Sequence, residues 1–460
     1  MASVNLARKM SANMNMCEGP LFKKIIRFTF PIILTNLLQL MFNAADLLVV
    51  GQFCGSTSVA AVGSTSSLVH LAINFFLGIS SGVGVVTAMS IGAGEEKNVQ
   101  KTVHSAIPIA LLCGALLTVV GLLGVEPMLR LMDTPSDILP LSALYLKIYF
   151  CGMIPSMLYN FGAAILRADG DTKRPLFYLT FAGVVNVVLN LFFVIVLDMD
   201  VAGVAIATAV SQLVSAVLVL WALMKKNDAC RLDVKKMRFH SAQVGQILKI
   251  GLPAGLQSTT FSFSNVIIQS SINSFGAIAV AGSAAASTLE GFVYTPIEAY
   301  SQAALNFTGQ NFGAKKYDRI KRILLITIAS CIVTELVLGV LANVFSTPLL
   351  SLYITDSVKA IGYGAKRMLY VSLFYFLCGT MGIFSAVFRG MGHSVTPMFI
   401  NIFSNCVFRV VWIFCVFRFL KSWDILFSSY PISWALAIAV QIVMYIIIMK
   451  KYKKSASLFK

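Results

Sequence analysis

Residues 31–51 read PIILTNLLQLMFNAADLLVVG. This run holds a single ionisable side chain, Asp46, and is long enough to cross a bilayer core of about 30 Å as a helix. Its polar residues are ordered. Asn36, Gln39, Asn43 and Asp46 step by three, four and three, which places them on one face of a helix. A carboxylate turned toward hydrocarbon is costly, so the polar face is expected to point into protein or a wet cavity.

The rest of the chain agrees. Of its 460 residues, 58% are hydrophobic and 12% charged, against about 45–50% and about 25% in soluble domains. A soluble enzyme, a disordered chain and a disulfide scaffold are excluded. Apolar runs lie at roughly 25–51, 59–91, 102–125, 138–165, 175–197 and 202–224, then at 246–272, 277–308, 323–345, 364–388, 396–417 and 427–449. The expected fold is an all-α polytopic membrane protein with twelve transmembrane helices in two six-helix bundles related by pseudo-two-fold symmetry. The expected segments are a tail at 1–20, a bundle at 21–224, a linker at 225–245, a bundle at 246–450 and a tail at 451–460.

The formal net charge is +17, from 36 Lys and Arg against 19 Asp and Glu. In a soluble protein that balance would suggest nucleic acid. Here 28 of the basic residues fall in the termini and the connectors on their side, and six fall opposite, among them Lys366 and Arg367. Basic loops stay inside, so both termini are expected in the cytoplasm, with the chain multi-pass in the plasma (inner) membrane and the lipid bilayer, not nucleic acid, as its environment. The leading segment, 1–20, holds no apolar core of signal-peptide type, so no cleavage is expected. The nine cysteines form no CxxC pair; Cys113, Cys151, Cys331, Cys378, Cys406 and Cys415 lie in apolar runs and are expected to pack as small buried hydrophobes. No cofactor, metal site or catalytic residue is expected: the histidines lack ligand spacing, and Gly170-Asp171-Thr172-Lys173 lacks the phosphate-loop pattern.

The chain repeats itself. At an offset of 222, Pro31 matches Pro253, Asn43 matches Asn265, Arg167 matches Arg389, Gly170 matches Gly392 and Pro175 matches Pro397. With a small slip Gly94 matches Gly313. Six spans per repeat, with both termini on one side, make the repeats parallel, as in many alternating-access carriers. The two halves differ at one telling place. The face of span 7 that matches the first stripe reads Ser258, Ser262, Asn265 and Gln269, and Ile268 stands where Asp46 would be. Ion coupling is therefore expected in the first half.

Span 5 carries Asn186 and Asn190 one turn apart, and span 6 carries Thr208. Packed beside span 1, these groups could hold Asp46 or an ion; equally, they could serve as ordinary interhelical hydrogen bonds. Glu290, Tyr294 and Glu298 share a face of span 8, Glu335 lies in span 9, and Arg409 lies in span 11 beyond Asn401 and Asn405. Glu290 is the second candidate for a coupling or cation-attracting carboxylate. Intramembrane ionisable residues are functional candidates by default, and Glu335 and Arg409 read equally well as members of structural salt bridges.

Several strings together resemble one family: PIILTNLLQLMFNAADLLVVG at 31–51, ILRADGDTKRP at 165–175, its echo VFRGMGHSVTP at 387–397, and GQNFGAKK at 309–316. Over about residues 20–450 the chain resembles the MATE (multidrug and toxic compound extrusion) family of efflux transporters. The resemblance implies two six-helix bundles that export cationic, lipophilic compounds or drugs in exchange for H⁺ or Na⁺. It implies that Asp46 is the ion-coupling residue of the DinF-like branch, with Asn186 and Thr208 as its partners. Asn190 departs from the pattern, because some relatives carry an acid there. The NorM-like branch has an acid in span 7, and none occurs here between Pro253 and Asn273. Protons are therefore the expected ion, with Na⁺ as the alternative. Asn36, Gln39, Asn43, Asn265, Gln269, Glu290 and Tyr294 are the candidate cleft residues. A monomer is expected. The competing reading is a flippase for lipid-linked precursors, against which the twelve spans and few inward cations count. A membrane enzyme would need a His, Asp or Ser constellation that the sequence lacks.

Overall fold

The computed structural model describes residues 14–132, 134–355 and 357–458. Among the described residues every regular element is helical. The helices are α1 (Leu21–Phe53), α2 (Ser56–Gly92), α3 (Glu96–Leu131), α4 (Leu139–Cys151 and Met153–Ala168), α5 (Lys173–Val196) and α6 (Asp200–Met224), then α7 (Ser241–Asn273), α8 (Ala277–Gly313), α9 (Tyr317–Val344), α10 (Val358–Val371 and Tyr375–Gly390), α11 (Val395–Phe417) and α12 (Trp423–Leu458). Nine of these are each apolar and long enough to span a membrane, and α4 and α10 pass as pairs bent by 46° and 43°. The remaining helix is α7. Its Gln257, Ser258, Thr259, Thr260, Ser262, Ser264, Asn265, Gln269, Ser270 and Ser271 make it the polar helix of the set. The twelve match the twelve runs of the sequence, except that α7 begins inside the segment read as linker and α12 continues to Leu458.

The described helices form two compact units. One contains Leu34–Gly255; the other contains Met16–Ile33 and everything from Leu256 onward. The bundle limits read from sequence, 21–224 and 246–450, therefore shift: the leading third of α1 packs with the second repeat, and the leading part of α7 packs with the first. The two crossing points are equivalent in the repeat, each falling just after its proline, Pro31 or Pro253. A proline inside a helix removes one backbone hydrogen bond and favours a bend there.

Local contacts show why each leading segment stays with its unit. In the second unit Arg319 donates to the carbonyls of Glu18 and Gly19, at 2.9 and 2.8 Å, and Asn311 Nδ2 donates to that of Met16 at 3.1 Å. In the first unit Gln243 donates to Asn98 at 3.4 Å, the His240 backbone N–H donates to Ser105 at 3.1 Å, and the Asp233 N–H donates to His104 Nε2 at 3.0 Å. Glycines then let α2 and α7 touch backbone to backbone. A Cβ on Gly78 would stand 2.1 Å from the Gly255 nitrogen, and one on Gly82 would stand 2.5 Å from the Ile247 carbonyl oxygen. Backbone atoms have no rotamer with which to yield. Gly78→Ala and Gly82→Ala are each expected to cost at least the usual overpacking penalty of about 1–3 kcal/mol. Thermal unfolding in detergent measures this, with Gly291→Ala, which meets nothing within 4 Å, as the control that should differ little.

The repeat is also written in backbone detail. Gly55 and Gly276 begin α2 and α8 with φ of 90° and 89°, and Gly170 and Gly392 turn the chain before α5 and α11 with φ of 91° and 82°. The slip near Gly94 resolves differently from the sequence reading. Gly94 is left-handed at φ 72°, and its structural counterpart is Lys315 at φ 56°, so Gly92 is the residue that matches Gly313. Both α5 and α11 widen by one residue per turn near their ends, at Phe192–Val196 and Ile413–Phe417.

Two expectations about buried residues are corrected. Cys113, Cys331 and Cys378 are buried, but Cys406 is only half-buried and Cys151 and Cys415 are exposed, on helix faces that no neighbouring described helix covers. Arg367, counted with the basic residues of the connectors opposite the termini, is buried inside the second unit.

Candidate functional site

In the first unit, α1, α5 and α6 converge on Asp46. Asn190 is fully buried, and its amide nitrogen donates to Asp46 Oδ1 at 2.5 Å. The Thr208 hydroxyl lies 3.5 Å from Asp46 Oδ2 and also 2.9 Å from the Val204 carbonyl. Asn186 closes the set, donating to Thr208 at 3.3 Å and accepting from Asn190 at 3.4 Å. All four residues named from the sequence are thus one connected group. The helical spacing explains it: Asn186 and Asn190 stand one turn apart on α5, facing both α1 and α6. Gly183, one turn earlier, leaves room for the Phe42 ring, since a Cβ there would fall 1.9 Å from it.

One atom in this group has no partner among the described residues. Asn190 Oδ1 is buried and accepts no hydrogen bond. An oxygen left empty beside a carboxylate is an acceptor in waiting, and burying it unpaired costs free energy. Two aromatic residues that sequence reading missed also stand here. Tyr145 and Tyr149 of α4 stack at 6.0 Å within electrostatic reach of Asp46. Their spacing of four on a helix was the available signal.

The other candidates are placed as follows. Along α1, Asn36 is half-buried while Gln39 and Asn43 are exposed. On α7, Asn265 and Gln269 are exposed, and Gln269 donates to Asn273 at 3.0 Å. Tyr294 is half-buried and packs edge-on against Tyr375 at 5.8 Å. Glu290 is corrected. It is not an uncommitted carboxylate: Arg367 of α10 grips it through Nε at 3.0 Å and Nη2 at 2.8 Å, and Arg367 Nη1 donates to Ser283 at 2.6 Å. A guanidinium and a carboxylate held in this forked manner satisfy one another. Glu335 and Arg409 do not pair. The Arg409 guanidinium lies 4.1 Å over the Tyr430 ring, and its Nε donates to Ser433 at 3.0 Å. Such a cation–π contact is strongest where water is excluded.

At the α4–α5 turn, the acids of the RADGDTK string hold the backbone and the linker. Asp171 accepts from the backbone N–H groups of Lys173 and Arg174, at 3.2 and 3.1 Å, at the start of α5. Asp169, Asp228 and Cys230 lie close enough together to suit a metal ion, but the Lys226 ammonium already sits among them. It pairs with Asp169 and, at 2.9 Å, with Asp228. Burial pushes the Cys230 thiol up, so it stands neutral beside the ion pairs. Lys226→Met should therefore release the linker that follows α6, seen as faster proteolysis within residues 227–240 of the intact protein in membranes. Unchanged cleavage would show that the ammonium holds nothing.

A family model described as MatE matches residues 31–192 and, again, residues 253–415. The chain belongs to the MatE family. The two matched stretches begin at the paired prolines of the repeat, Pro31 and Pro253. The chain is 30% identical over 387 residues to the "Probable multidrug resistance protein YoeA" of Bacillus subtilis (strain 168), covering 82% of this chain and 83% of that protein. It is 24% identical over 394 residues to a protein of Shewanella oneidensis named "FAD transporter", covering 84% and 86%. A solved structure titled "Outward-facing conformation of a multidrug resistance MATE family transporter of the MOP superfamily" is similar with a TM-score of 0.89 at 21% identity, covering 96% of this chain and 99% of that one. As a MatE protein the chain is a multi-pass membrane transporter and not an enzyme, with twelve helices in two six-helix bundles.

Proposed function

We propose that this chain is a plasma-membrane antiporter that expels small cationic or lipophilic organic compounds in exchange for protons, with Asp46 as the coupling carboxylate and both termini in the cytoplasm. The single observation that carries the ion assignment is the amide of Asn190. In the arrangement described, it donates to Asp46 and leaves its own oxygen empty. That geometry suits a charged Asp46, which can only accept. When Asp46 takes a proton it becomes a donor, and a half-turn of the Asn190 amide offers Oδ1 to receive it. The same residue then serves both protonation states without a second acid. Among the described residues this cluster offers a sodium ion one carboxylate and otherwise neutral oxygens, which favours the proton.

Exchange follows from access. Protonation from outside removes the Asp46 charge, rearranges the hydrogen bonds joining α1, α5 and α6, and favours release of the organic cation. Deprotonation toward the cytoplasm restores the charged site. Membrane potential contributes about 2.3 kcal/mol per charge per 100 mV to any net charge moved inward. The drug reading is supported by relatives named for multidrug resistance, and these also disfavour the flippase reading. The function is tested in bacterial cells stripped of their own efflux pumps. Expression of the chain should lower ethidium accumulation and restore growth on ethidium, and collapse of the proton gradient should abolish both. Equal accumulation with and without the chain would overturn the organic-cation reading.

A further inference from the structure

Glu335 is a buried acid with no ion-pair or hydrogen-bond partner among the described residues. It lies on α9, enclosed by α8 and α10, with 0% of its surface exposed, and neither carboxylate oxygen has a hydrogen-bond partner. No cation among the described residues pairs with it. The ionisable groups nearest it are Cys331 on its own helix, Tyr294 and Tyr300 on α8 and Cys378 on α10; the described part of α12 supplies none. The Tyr300 hydroxyl is engaged elsewhere, 3.1 Å from Thr334. Arg409 of α11 acts electrostatically on Cys378, as Arg389 of α10 does on Tyr294, and Arg409 Nη1 and Nη2 are also without hydrogen-bond partners among the described residues. Glu298 of α8, by contrast, is exposed. At the corresponding place in the first repeat stand Cys113 and Gly114, so this acid, like Asp46, belongs to one half only.

An ionised carboxylate enclosed without a partner costs several kcal/mol, and such a group neutralises instead. We propose that Glu335 is a second proton-binding site, contained in the second unit, which carries a proton in the arrangement described and releases it to water when the packing of α8, α9 and α10 opens. The inference extends the proton-exchange reading, on which it rests for its transport consequence, because two carried protons alter the charge moved. One proton in for one monovalent cation out is electrically silent; two protons in for one cation out carry a net charge inward.

Two measurements test it, and the first does not depend on transport. Infrared difference spectroscopy of the purified full-length protein in lipid nanodiscs should show the C=O stretch of a protonated carboxyl at neutral pH, lost reversibly on alkalinisation. Glu335→Gln should remove that band, and Asp46→Asn should leave it. A band absent at neutral pH, or one that persists at every pH at which the protein stays folded, overturns the proposal. If Glu335→Gln fails to fold, wild type decides: dicyclohexylcarbodiimide, which attacks protonated carboxyls in apolar surroundings, should label Glu335 on peptide mapping, less so as pH rises. No label there overturns the proposal. The second measurement uses ethidium as the monovalent probe in proteoliposomes. Wild-type exchange should accelerate under an imposed membrane potential, and Glu335→Gln should exchange at a rate insensitive to it. Potential-insensitive exchange by wild type would overturn the second proton. Absence of any ethidium exchange would instead strike the proposed function, and the infrared result would still decide Glu335.

Discussion

Asp46→Asn is expected to abolish proton-driven export while leaving the helices assembled. The substitution keeps the size of the side chain and its ability to bond with Asn190 and Thr208, which lie 2.5 and 3.5 Å away, but it removes the only group in the cluster that can gain or lose a proton. Ethidium export under a pH gradient should fall to the level of empty vesicles, and the thermal unfolding temperature should change little. Asn190→Ala is expected to be an intermediate case. The carboxylate remains, but its best donor and the waiting oxygen are both lost, so coupling should weaken and its pH profile shift. Asp46→Asn with proton-driven export intact would remove the basis of the coupling assignment.

Arg367→Met should produce the largest loss of stability. It leaves Glu290, 3% exposed, without the guanidinium that holds both its oxygens. Removing one partner of a buried ion pair costs about 3–5 kcal/mol, whereas replacing both by apolar or neutral groups is often nearly harmless. Arg367→Met should therefore unfold well below wild type, and the double variant Glu290→Gln with Arg367→Met should recover most of the loss. The aromatic contact of Arg367 with Phe427, at 5.3 Å, is lost in both variants, so the difference between them isolates the stranded charge. A double variant no more stable than the single one would mean that the packing of Arg367, rather than its charge, matters. This outcome also bears on function: a carboxylate already neutralised by a fixed guanidinium is poorly placed to carry protons.

Much of this was legible in the sequence because membrane helices announce themselves locally. Twelve apolar runs became twelve helices, and a stripe with steps of three and four placed Asp46 on a face that α5 and α6 cover. Asn186, Asn190 and Thr208 stood out as polar groups inside apolar runs, and the family resemblance pointed to Asn186 and Thr208 as partners of Asp46, with Asn190 departing from its pattern. What the sequence could not carry was nonlocal. Glu290 looked unpaired because its partner, Arg367, lies two helices further along the chain. Arg409 and Glu335 were left open between functional groups and members of ion pairs, because charge alone does not choose between a carboxylate and an aromatic face, and the Tyr430 ring holds the guanidinium. The bundle limits were misplaced because apolar periodicity says that a segment is buried without saying against what. The leading segments of α1 and α7 settle elsewhere through particular contacts, Arg319 with Glu18 and Gly82 with Ile247 among them.

Proton coupling through Asp46 is tested most directly in proteoliposomes containing the purified chain, with ethidium as the exported cation and gradients of protons or of sodium imposed in separate experiments. Ethidium added on the side from which it is expelled is expected to collapse a preset pH gradient faster than in empty vesicles. Wild type should do this, Asp46→Asn should not, and a sodium gradient alone should drive nothing. Export driven by sodium without response to pH, or gradient collapse that persists in Asp46→Asn, would contradict the assignment.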